Sequence, residues 1–172
     1  MNKVEMNKSM KLSEHLASPS EAALSHSSKL DGLRLSPHFT LGELTKTRHQ
    51  TADGNIPSRV VIENLIRVCG WLEGLRGRWN EPIVINSGYR SPEVNRLAGG
   101  VPSSNHVTGC AVDIRCAGKE QMIRYASILL DIADESKREF DELLLEQHGS
   151  TVWLHFAVRP KDNRRRIAFL KV

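Results

Sequence analysis

Apolar residues recur along the chain in stretches that change period. Val61, Leu65, Val68, Leu72 and Leu75 step by four, three, four and three, which places them on one helical face. The spacing predicts a helix from Pro57 to about Arg76, with Asn55 just ahead, Pro57 in the first turn, and Gly74 and Gly77 weakening the end. The run Pro82-Ile-Val-Ile-Asn-Ser87 then reads as a strand, and Cys110 to Arg115 as a second. Between them, Gly99 to Asn105 has loop composition. Lys119 to about Asp134 predicts a second amphipathic helix, with Met122, Tyr125, Ala126, Leu129 and Ile132 on one side. Glu142–Gln147 and Val152–Val158 flank the turn His148-Gly149-Ser150-Thr151 and predict a β-hairpin. The order helix, strand, loop, strand, helix, hairpin favours an α+β domain, a mainly antiparallel sheet flanked by helices.

The N-terminus follows neither period. Ser, Ala, Lys and His dominate there, and the change in composition near Leu35 divides the chain into an irregular or peripheral arm, residues 1–36, and a compact domain, 37–172. A length of 172 residues suits one such domain. No apolar run approaches the ~20 residues of a membrane helix, so membrane insertion is not expected. Met1 to Pro19 lacks the apolar stretch of a secretory signal, so no route through general secretion is expected either.

Cys69, Cys110 and Cys116 form no CxxC pair, which argues against a cysteine zinc site, and Cys69 reads as a small buried hydrophobe. A net charge of +4 is compatible with nucleic acid, an anionic membrane or an anionic wall polymer. No helix-turn-helix, zinc-finger or RNA-recognition signature supports the first, so a nucleic-acid partner is not expected. The basic run at Arg159, Lys161, Arg164, Arg165, Arg166 and Lys171 reads as a solvated edge strand, where cations discourage mispairing.

The chemistry is concentrated in Ser87 to Ile114. Within it lies His106-x-x-Gly109-x-x-x-Asp113, and Trp153-Leu154-His155 follows on the last hairpin strand. Two imidazoles and one carboxylate form the kind of three-ligand set that catalytic zinc sites use, with a fourth position left for water. A histidine before a strand is ordinarily a surface residue. Asp113 stands out because Ala111, Val112 and Ile114 surround it, and a carboxylate in such a run needs a partner to offset desolvation.

The pattern SGYRSPEVN, then GG, then SSxHxxGxAxD, then WxH, resembles the zinc D-Ala-D-Ala carboxypeptidase family, and within it a branch of small phage and prophage endolysin-like members. The resemblance covers roughly Phe39 to Arg166, including Phe39-Thr-Leu-Gly-Glu-Leu44 and Asn163-Arg-Arg165. It implies the fold shared by hedgehog domains and DD-peptidases. It also implies one Zn2+ per chain held by His106, Asp113 and His155, and a substrate in the stem peptide of peptidoglycan. Arg90 matches an arginine facing the substrate, and Ser104 a residue lining the pocket. Many relatives carry an acid three residues before the last histidine, where this chain has Val152. The small branch instead places a glutamate at the end of the preceding strand, here Glu146.

The expected function is therefore a zinc metallopeptidase of the cell wall, a D-Ala-D-Ala carboxypeptidase or an endolysin-type peptidase. Glu146 would take the proton of the attacking water, and Arg90 would hold a carboxylate or the oxygen that gains charge. The competing reading, prompted by Val152, is an inactive zinc-containing module that binds peptidoglycan. A monomer is expected, released to the wall by phage-type lysis or virion assembly.

Overall fold

A computed structural model describes residues 32–172. The expectation of an N-terminal arm therefore lies, up to residue 31, outside the described residues. Leu35 and Phe39 are buried in the core, and Leu41 N–H donates to Leu33 O at 2.8 Å.

The chain forms α1 (Leu41–Thr45), α2 (Arg59–Trp79), β1 (Ile85–Ser87), α3 (Pro92–Leu97), β2 (Ala111–Arg115), α4 (Lys119–Ser136), β3 (Glu142–His148), β4 (Thr151–Ala157) and β5 (Arg166–Lys171). The five strands make one sheet in the order β1-β2-β4-β3-β5. Every pairing is antiparallel except β3 with β5, which is parallel. This is the α+β architecture with a mainly antiparallel sheet that the sequence predicts.

Alternation along the strands sorts side chains to two faces of the sheet. Val112, Ile114, Leu143, Leu145, Leu154 and Phe156 point into the core, where Leu65, Leu72, Trp71 and Leu129 from α2 and α4 cover them. Asp113, Glu142, Leu144, Glu146, Trp153 and His155 share the opposite face. That face carries the chemistry.

Some element ends differ from the sequence reading. Helix α2 starts at Arg59 because Ser58, not Asn55, is its N-cap: the Ser58 hydroxyl accepts from Val61 N–H. It runs past Gly74 and Gly77 to Trp79, whose ring packs edge-on against Tyr125 at 5.0 Å, and stops at Asn80 in the left-handed conformation. The first strand is shorter than Pro82–Ser87: its ladder with β2 covers Ile85 to Ser87, and ahead of it Val84 O accepts from Arg115 N–H at 2.9 Å. Helix α3 was not anticipated, although Ser91 caps it by accepting from Val94 N–H and Pro92 occupies its first turn. The basic C-terminal run does form an edge strand, β5. Arg164 and Arg166 are not merely solvated, however, since they reach back to Asp141 and Glu142.

Candidate metal centre

His106 sits in the turn before β2 and is 1% exposed. Two glycines allow this turn to pack so closely. Gly109 has φ +71°, and a Cβ there would lie 2.8 Å from Val61 O. A Cβ on Gly88 would lie 2.3 Å from Leu44 O, which accepts from Tyr89 N–H at 2.7 Å. The Ser87–Ser91 segment is thereby pressed between α1 and the His106 turn. Buried Asn55 locks it further: its amide donates to Thr45 O and Tyr89 O, and its carbonyl accepts from Ser91 N–H at 2.7 Å.

The segment in turn orients His106. Nδ1 lies 2.7 Å from Gly88 O. A carbonyl can only accept, so Nδ1 carries the proton and Nε2 presents its lone pair. Nε2 lies 3.3 Å from Asp113 Oδ1 and 3.3 Å from His155 Nδ1, and His155 Nδ1 lies 2.9 Å from Asp113 Oδ1. These positions follow from the sheet: Asp113 on β2 is directly opposite His155 on β4. One ligand atom from each of the three residues lies within 4.8 Å of the others.

The electrostatics suit a cation. Asp113 is largely buried, which alone would raise its pKa, yet His106 and His155 hold it far below the usual carboxylate range. Burial would lower His155, but Asp113 and Glu142 outweigh it and bring His155 up to about 9. For His106 burial prevails and the pKa falls, which keeps its ring neutral. An ionised carboxylate and two imidazoles that bring one ligand atom each to a common point fit a zinc-type ion, and His106, Asp113 and His155 are the residues that would hold it.

Arg90, Ser104 and Glu146 line the same cleft, of about 840 Å³. Arg90 is mostly buried; its Nη2 is 3.9 Å from Asp113 Oδ2, and its Nε has no partner. Burial pulls the Arg90 pKa down, against the fields of Asp113 and Glu146. Ser104 accepts from His106 N–H at 3.3 Å, so it also shapes the turn that carries His106. Glu146 pairs with Trp153 and Leu144 with His155, which makes Glu146 a diagonal neighbour of His155 on the cleft face. Burial raises its pKa, and the fields of Asp113 and Glu142 add to this against the opposing pull of His155 and Trp153. Val152 is buried on the opposite face among core residues, so an acid at that position of this strand would not reach the cleft.

Three contributors were missed in the sequence. Glu142 Oε2 lies 3.5 Å from His155 Nε2. Asn105 donates to Glu142 Oε2 at 3.0 Å and Arg166 to Glu142 Oε1 at 3.0 Å. The strand alternation that placed Glu146 already put Glu142 on the same face, and that signal was available. The arginine and asparagine contacts span long separations and left no local trace.

A family model described as Peptidase M15 matches residues 37–154, a span that contains Arg90, Ser104, His106, Asp113 and Glu146 and ends one residue before His155. Among solved structures, the chain is similar to the crystal structure of Serratia marcescens L-Ala D-Glu endopeptidase ChiX, with 18% identity, 60% of this chain and 89% of that chain covered, and a TM-score of 0.41. No curated protein matches the chain in sequence.

Proposed function

The chain belongs to the peptidase M15 family of zinc metallopeptidases, and from that premise we propose that it hydrolyses a peptide bond in the stem peptide of bacterial peptidoglycan. The observation that carries the reading is the convergence of His106, Asp113 and His155 at the floor of a cleft that also holds Arg90 and Glu146. The substrate class is supported by the motif SGYRSPEVN…SSxHxxGxAxD…WxH, which resembles enzymes that cut wall stem peptides.

A zinc ion bound at His106, Asp113 and His155 would supply Lewis acidity and make water a nucleophile near neutral pH. The chain's own residues supply the rest. Glu146, with its raised pKa, accepts the proton of the attacking water and returns it to the leaving amine. Arg90 has a buried guanidinium whose Nε–H has no protein partner and whose Nη2 is only loosely paired with Asp113, at 3.9 Å, which suits a substrate carboxylate or the carbonyl oxygen as it gains charge. Gly88 O and Glu142 hold the two imidazoles in the tautomers that leave Nε2 of His106 and Nδ1 of His155 facing Asp113.

The test is digestion of purified muropeptides by the zinc-loaded protein, with products weighed by mass spectrometry. One hydrolysed stem-peptide bond is expected, abolished by a chelator and by His155→Ala. Intact muropeptides after incubation with fully loaded wild type would refute the proposal.

A further inference from the structure

We propose that the substrate runs through the metal site and not merely up to it, and that a basic cleft beyond Arg90 binds a carboxylate-bearing part of the peptide. This rests on the peptidase reading above and adds a subsite to it.

Two hollows meet at the metal centre. Arg90, Ala98 and Asp113 line both, so the hollows form one groove whose waist is at Arg90 and Asp113, with His106 and His155 on the side of the first hollow. The first hollow holds Glu142, Glu146 and Trp153. The second is walled by Lys46, Arg48 and His49, which follow α1, and by Asn86 and Arg115. Arg115 lies two residues after Asp113 on β2, so both project to the cleft face.

Charge separates the two arms. In the first, Arg159 and Arg164 are paired with Asp141, and Arg166 with Glu142. In the second, Asp113 is the one acid in the lining, and it belongs to the metal site. Among the described residues, Lys46, Arg48 and Arg115 form no ion pair with an acid. Arg115 Nε donates to the neutral Asn86 side chain at 3.0 Å, which leaves its terminal nitrogens available. Three cations without counter-charge beside a groove attract an anion, and a stem peptide carries free carboxylates along its length. A groove open on both sides of the waist also has room for residues flanking the scissile bond in both directions. The geometry is that of an enzyme cutting inside a peptide.

The test compares zinc-loaded wild type with the double variant Lys46→Glu/Arg48→Glu, neither residue being part of the metal site. Two synthetic stem peptides are used, one with free carboxylates and one with the same carboxylates amidated. On the acidic peptide the variant should show a KM higher by roughly tenfold or more, with kcat and zinc content unchanged. On the amidated peptide the two proteins should match. Wild-type preference for the acidic peptide should shrink as salt is raised. Both products should be longer than one residue. Equal KM values for wild type and variant on the acidic peptide would overturn the subsite, and release of a single C-terminal residue would overturn the through-running groove. Anisotropy of the labelled acidic peptide reads the subsite without turnover. A wild type that binds it more tightly than the variant but never cleaves it would sink the peptidase reading and leave the subsite standing; equal affinities would sink the subsite.

Discussion

Glu142 Oε2 lies 3.5 Å from Nε2 of His155, on the ring edge opposite the Nδ1 that faces Asp113. Glu142 is therefore placed to orient the imidazole and not to touch a metal at Nδ1. Its contact with His155, helped by Arg166 and Asn105, holds its pKa at about 2 despite burial, so it stays anionic. Loss of such a partner typically weakens metal binding by ~10–100-fold. Glu142→Ala should lower zinc affinity by about that factor, measured by competition with a chromogenic chelator. Glu142→Gln should recover part of it, because the amide oxygen can still accept from Nε2–H. Wild-type affinity in the Ala variant would remove Glu142 from this role.

Zinc binding should release a proton from His155. In the metal-free protein this ring is raised to about 9, chiefly by Asp113 and Glu142 acting against burial. Below that pH the imidazole is protonated on both nitrogens, and the metal must displace the Nδ1 proton. Affinity should therefore rise with pH up to about 9, by roughly tenfold per unit where one proton is displaced. Titration calorimetry at neutral pH, in buffers of different ionisation enthalpy, should report close to one proton released per zinc. No proton release would contradict the assignment.

Glu146→Gln should bind zinc normally yet turn over muropeptide slower by ~10²-fold or more, as loss of a general base gives. Zinc content and turnover should be read on the same preparation. A fully loaded variant with undiminished turnover would exclude Glu146 as the base.

Arg90→Lys tests shape against charge. Lysine keeps the cation but loses the planar fork that suits a carboxylate or a developing oxyanion. Activity should fall by at least ~10-fold, the equivalent of one lost charge-assisted hydrogen bond, with zinc content and melting temperature retained. Wild-type rates in this variant would show that Arg90 does not hold the substrate.

Asp141 anchors the C-terminal segment. It is fully buried and accepts from Arg164 Nε at 2.8 Å, Arg164 Nη2 at 2.7 Å and Asn105 at 2.8 Å, with Arg159 also 2.8 Å away. Burial would raise its pKa, but these donors outweigh it and hold it below the usual value. The depressed pKa adds stability that is full above the unfolded carboxylate's value near ~4 and is lost as pH falls through the folded value. Asp141→Asn should cost about 1–3 kcal/mol at neutral pH, allowing for the half-exposed Arg164, and the difference from wild type should narrow in acid. Urea unfolding at neutral and acidic pH would show it, and a constant difference would refute the linkage.

The sequence by itself determined what is periodic or local. Its 3.6-residue steps marked α2 and α4, and two strand-like runs either side of His148-Gly149-Ser150-Thr151 marked the hairpin. A two-residue turn at Gly149-Ser150 sets the register that pairs Leu144 with His155 and Glu146 with Trp153. Those pairings put Glu146 and His155 on one face, and they depend only on neighbours along the chain. The tertiary structure decided what depends on distant segments. Asp113 meets His155 because β2 lies beside β4. Glu142 meets Arg166 because β5 returns parallel to β3, and Asn55 grips Tyr89 and Ser91 across more than thirty residues. The cations after α1 join Arg115 in one cleft only once α1 is pressed against Gly88. No local preference encodes such contacts, because their free energy appears only when the core has brought the segments together.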